Sequence, residues 1–169
     1  MDFETKILSL GIQELLYEQD TTVGTAESCT GGRVGEAIIA VPGASQYFKG
    51  GIIAYANEVK EQLLHVSHDV IVEQSAVSEE VARQMVAGAC KALQTTYAIA
   101  VTGTAGPGGG TPEVPVGTIW IGYGTPEDIR THRITEDNGR DLNLAIATNT
   151  ALRLFLEYLK ETQPTQQTE

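Results

Sequence analysis

Positive charge is scarce in this chain. Against 22 aspartates and glutamates stand only 11 lysines and arginines in 169 residues, a formal net charge of −11. So acidic a chain lacks the basic field that supplies most nucleic-acid affinity, which argues against a DNA or RNA polymer as partner. A phosphorylated small molecule stays compatible with it, because a few donors in one pocket act locally. Cysteine is equally sparse: Cys29 and Cys90 are too few for a disulfide scaffold. Zinc-like spacing is missing as well, since His65 and His68 stand three apart without a thiol or carboxylate cluster. No apolar run approaches the roughly 20 residues that span a bilayer. Met1-Asp2-Phe3-Glu4 is acidic where a secretory signal would be basic. These absences lead us to expect a cytoplasmic protein with no membrane partner and no metal.

What is present is an ordinary globular composition, 41% hydrophobic and 20% charged. A single domain of this length buries roughly 70% of its unfolded surface. Residues 3–17 carry Phe3, Ile7, Leu8, Ile12, Leu15 and Leu16 at helical spacing. TTVGTAE (21–27) reads as a strand, 30–39 as a helix entered through Gly31-Gly32, and GGIIAYA (50–56) as a second strand. Asn57 is placed to cap a short helix and Ser78 a longer one, whose stripe Val81, Met85, Val86, Ala89, Cys90 and Leu93 faces a core. YAIAV (97–101) is a continuous apolar run, as in a strand covered on both faces. A glycine-rich loop follows, then strands at 118–123 and 129–135 and a helix at about 141–160. The polar tail 163–169 is expected to be disordered. Interspersed helices and strands without a linker predict one three-layer α/β/α domain over 1–162, with a mixed, largely parallel sheet. In such folds sites gather at the C-terminal ends of strands.

Four segments at such ends could carry chemistry. In Ala26-Glu27-Ser28-Cys29-Thr30-Gly31-Gly32, Ser28 leaves a strand and precedes a helix, although the G-x-S-x-G elbow is absent. Backbone N–H groups from Cys29 to Gly31 would face an oxyanion or a phosphate. Ser28 and Thr30 would serve equally as helix caps. Cys29 is the rival nucleophile, because a helix N-terminus lowers a thiol pKa. In the second segment, Lys60 lies in the first turn of the helix after Asn57, with its stem along Leu64. A positive helix end and apolar surroundings both disfavour the ammonium form. A lysine base must be neutral, well below its usual value of about 10.4; a solvated surface lysine is the alternative. The third segment, TGTAGPGGGTP (102–112), lets backbone approach a ligand closely, but has neither the lysine of a P-loop nor a dinucleotide fingerprint. The fourth, Gly139-Arg140-Asp141, offers a guanidinium fork to a phosphate or a plain surface arginine.

Taken in order, TAESCTGG (25–32), VPGAS and GGIIAYANEVK (between 41 and 60), AVSEEVA (76–82), TGTAGPGGGTPEVPVGTIW (102–120) and GRD (139–141) resemble the CinA C-terminal domain family. That family includes bacterial nicotinamide-nucleotide amidases. The resemblance implies a three-layer α/β/α domain and a serine–lysine pair, Ser28 and Lys60, supported by Tyr55. It implies nicotinamide mononucleotide as substrate, bound by Thr30, Gly31, Thr102, Gly103, Ala105, Gly106 and Arg140, with no cofactor. A homo-oligomer is expected. A non-catalytic nucleotide-binding or competence-associated module is the alternative. Relatives often carry an arginine four residues after the one matching Arg140, where this chain has Leu144.

Overall fold

The computed structural model describes residues 1–163, so residues 164–169 of the expected disordered tail lie outside the described residues. A five-stranded sheet of order β2-β1-β3-β4-β5 forms the middle layer. Its strands are β1 (Val23–Glu27), β2 (Phe48–Ile53), β3 (Tyr97–Gly103), β4 (Ile119–Thr125) and β5 (Asp128–Ile134). β1 pairs in parallel with β2 and β3, whereas β4 runs antiparallel to both β3 and β5. Helices α1 (Phe3–Gln19), α2 (Arg33–Ile38) and α6 (Arg140–Thr162) share one core with the sheet, while α3 (Asn57–Leu64), α4 (His68–Gln74) and α5 (Glu79–Leu93) lie with the other. Among the described residues, no helix is long and apolar enough to cross a membrane.

The alternation of side chains along β3 separates the two layers. Tyr97, Ile99 and Val101 fill the core beneath α1 and α6; Ala98 and Ala100 face α5. Small residues on that second face let α5 come close. A Cβ on Gly122 would sit 2.9 Å from the Ala82 carbonyl oxygen, and one on Gly88 would overlap Leu64 O at 2.0 Å. The second contact presses α3 onto α5 and fixes the helix that carries Lys60.

β1 is the pivot of the topology. The chain leaves it through α2 on one face, pairs β2 on its flank, then returns through α3 to α5 on the other face to place β3 on its opposite flank. The C-terminal ends of β1 and β3 therefore open into a crevice at a switch in strand order, where α/β sheets bind ligands.

Several boundaries differ from the sequence expectation for identifiable reasons. The helix expected from residue 30 begins at Arg33, because Gly31 and Gly32 adopt φ of +56° and +107°, a left-handed geometry that a helix cannot continue through. Asn57 is the first helical residue rather than the cap; Ala56 holds the cap position without a side-chain bond. The Asn57 side chain belongs to the crevice instead. Phe3 and Ile7 are 79% and 51% exposed, so the apolar pattern of α1 is wider than the stripe it buries. Helix α4 went unnoticed in the sequence, although the Ser67 hydroxyl caps it.

Candidate active site

The crevice is a cavity of about 430 Å³, within the range of roughly 300–1,000 Å³ typical of small-molecule sites. Ser28 is the first residue beyond β1. Its N–H donates to Val101 O at 2.9 Å, and Ala54 N–H donates to Glu27 O at 2.8 Å, so the strand ends on both sides hold the turn. Ser28 Oγ lies 2.9 Å from Lys60 Nζ.

Lys60 is 2% exposed. Its amine also donates to Ala54 O at 2.9 Å and Tyr55 O at 3.2 Å. Burial lowers its pKa below the usual 10.5, with the nearby Cys29 opposing the effect. Three partners around one nitrogen suit the neutral amine. Two N–H groups serve the two carbonyls, and the lone pair accepts the Ser28 hydroxyl proton. As ammonium the same nitrogen donates to all three. The lysine is therefore buried and hydrogen-bonded to the serine, not solvated at the surface.

Cys29 lines the cavity but is 8% exposed, and burial pushes its thiol up to about 12. The lowering expected from a helix N-terminus does not occur, because α2 starts only at Arg33 and desolvation dominates. At neutral pH the group is a thiol.

Sequence reasoning passed over Glu27. Its carboxylate is 1% exposed and accepts hydrogen bonds from Thr30 Oγ1 at 2.7 Å, Val34 N at 2.8 Å and Gly35 N at 3.0 Å. It staples the Ser28–Gly32 turn to the first turn of α2. The only signal in the sequence was a charged residue at the end of an otherwise apolar strand.

Thr30 and Gly31 were expected to meet a ligand, but neither lines the cavity. Thr30 is buried on Glu27, and Gly31 N–H donates to Ser28 O at 3.1 Å. Thr102, Gly103, Ala105, Gly106 and Arg140 do line it, together with Tyr55. Thr102 Oγ1 donates to Ala76 O at 2.8 Å, tying β3 to the loop before α5. Arg140, at the start of α6, donates from Nη1 to Gly106 O at 2.8 Å. The Tyr55 ring is 63% exposed at the rim. Its carbonyl, not its hydroxyl, is what reaches Lys60. Leu144 is 4% exposed in the core beneath α6, away from the cavity.

Residues 5–159 match the family described as the CinA C-terminal domain. A CinA-like protein of Salinibacter ruber is 44% identical over 82% of this chain and 34% of its own length. Another from Cytophaga hutchinsonii is 38% identical over 94% of this chain and 38% of its own. The chain thus spans little more than a third of the curated relatives it matches. Solved structures match along nearly all of their length. The competence/damage inducible protein CihA from Agrobacterium tumefaciens superposes with a TM-score of 0.90 at 32% identity, covering 95% of this chain and 98% of that one. A CinA superfamily protein from Escherichia coli gives 0.89 at 30% identity, covering 94% and 92%.

Proposed function

The chain belongs to the CinA C-terminal domain family, and from that premise we propose that it is a serine amidohydrolase converting nicotinamide mononucleotide to nicotinic acid mononucleotide and ammonia. The observation that carries this reading is the buried 2.9 Å contact between Ser28 Oγ and Lys60 Nζ at the base of the cavity. A desolvated amine of lowered pKa is the base that a serine nucleophile needs.

Neutral Lys60 takes the Ser28 proton while Oγ attacks the carboxamide carbon. The tetrahedral oxyanion is met by a backbone N–H. Those of Ser28, Gly31 and Thr104 already donate within the protein and Thr30 lies outside the cavity, which leaves the Cys29 N–H for the oxyanion and those of Ala105 and Gly106 for the phosphate. One such donor contributes about 3 kcal/mol. Lys60 then passes its proton to the leaving nitrogen, the C–N bond breaks, and ammonia departs. A water, deprotonated by the same amine, attacks the ester carbon; the ester C–O bond breaks, Lys60 returns the proton to Ser28 Oγ, and the carboxylic acid is released. Tyr55 orients the amine through its carbonyl and offers its exposed ring to the pyridine. Arg140 and the glycine loop receive the ribose and phosphate. The chemistry needs no cofactor.

Ammonia release from nicotinamide mononucleotide by purified wild-type protein, Ser28→Ala and Cys29→Ala tests the reading. Turnover by wild type and Cys29→Ala but not by Ser28→Ala is expected. Wild-type rates from Ser28→Ala would remove serine catalysis.

A further inference from the structure

We propose that Asn143 is a positioning residue that fixes the anion-binding wall of the cavity through the backbone of the glycine loop. This rests on the nucleotide reading above. Asn143 lies in the first turn of α6 and is 3% exposed. Its side-chain amide bridges three pieces of chain. Nδ2 donates to Ala105 O at 3.0 Å and to Asp137 Oδ1 at 2.9 Å, and Oδ1 accepts from Asn138 N at 2.8 Å. Its own backbone N–H donates to Gly139 O at 2.8 Å. Both amide protons and the carbonyl are therefore used, which a residue with a single kind of polar atom could not match.

Arg140 stands three residues earlier, hence on the same side of the helix. It holds the next carbonyl of the loop, that of Gly106. Two consecutive loop carbonyls are thus drawn to one helix turn. A trans peptide unit points its C=O and N–H in opposite directions. Anchoring Ala105 O on Asn143 therefore also fixes the direction of the Gly106 N–H, on a residue that lines the cavity. The Asp137 carboxylate also accepts from the Gly139 N–H at 3.0 Å, and its bonds to the Asn143 amide and to that N–H hold its pKa below the usual value. Without the amide, the loop and the 137–139 segment lose their common anchor, and the Arg140 guanidinium loses the fixed partner that orients it. The attacking pair shares no hydrogen bond with this network.

A phosphorylated and a dephosphorylated substrate separate this role from general support of the fold. We compare kcat/KM for nicotinamide mononucleotide and for nicotinamide riboside in wild type, Asn143→Asp and Asn143→Ser. Asp keeps the shape but removes both donors and adds a charge beside Asp137. The ratio of mononucleotide to riboside is expected to fall roughly tenfold or more, mainly through KM. Combining Asn143→Ser with Arg140→Ala should cost less than the product of the single effects, since both act on one loop. Equal losses for both substrates, or multiplicative effects in the double variant, would overturn the proposal. Should the wild type hydrolyse neither compound, the amidase reading fails. Calorimetric Kd values for the same two compounds then decide the role of Asn143, with an unchanged ratio or no binding counting against it.

Discussion

The two walls of the cavity use water in opposite ways. On one, Lys60 and Ser28 are almost wholly buried, and desolvation disfavours the ammonium form, so the amine is neutral and free to accept a proton at lower pH. On the other, Arg140 is exposed and, among the described residues, spends one side-chain hydrogen bond on the protein. On the proposed reading, burial tunes reactivity at the first wall, while exposure preserves binding capacity at the second. A single cavity can then both activate a nucleophile and hold an anion in a protein of net charge −11.

The sharpest break of this contrast is Ser28→Ala, which should lower kcat for mononucleotide deamidation by at least about 10³-fold with binding retained. Lys60→Met comes next, with a loss of about 10²–10⁴-fold measured in the same assay. In the wild type, kcat/KM should rise with pH through the Lys60 pKa, which lies below 10.5, and the Met variant should lose that limb. Between the lowered folded pKa and the unfolded value, the unfolded chain binds more protons, so Lys60 makes stability rise with pH in that window. The buried thiol of Cys29 acts oppositely from 9.0 to about 12, where the folded state keeps the proton. Alkaline melting curves of Lys60→Met and Cys29→Ala would separate the two contributions.

Arg140→Ala probes the wet wall. KM should rise about tenfold, with kcat nearly unchanged, because one charge-assisted contact is lost from bound substrate and transition state alike. Glu27→Gln loosens the staple between the Ser28–Gly32 turn and α2. Either amide orientation sets its NH₂ against a backbone N–H of Val34 or Gly35, so a loss of about 1–3 kcal/mol in denaturant unfolding is expected. The smallest effect belongs to Cys29→Ala, for which we expect a change in kcat within about threefold, since a neutral buried thiol takes no part in the transfer.

Much of this was legible in the chain. The turn at Ser28, the loop at 102–106 and Arg140 were all placed by strand ends and glycine patterns, and α5 announced itself through Ser78 and its apolar stripe. Other features were not. Glu27 looked like any carboxylate, because its three donors come from residues whose backbone direction depends on two left-handed glycines. Thr30 looked like a ligand contact until Glu27 claimed its hydroxyl. Asn143 was indistinguishable from a surface asparagine, since its partners at 105, 137 and 138 converge only after the loop folds back onto α6.

Sequence alone determined the alternation of helices and strands, because hydrophobic period and turn chemistry are local properties that survive without tertiary contacts. It also determined which residue types stand at the strand ends. Tertiary structure decided what those residues are. Whether Lys60 is a solvated cation or a buried amine 2.9 Å from a serine depends on Gly88 admitting α3 against α5 and on β1 and β3 lying side by side. Burial and proximity between residues 28 and 60 are set by packing across the sheet, and no local pattern encodes them.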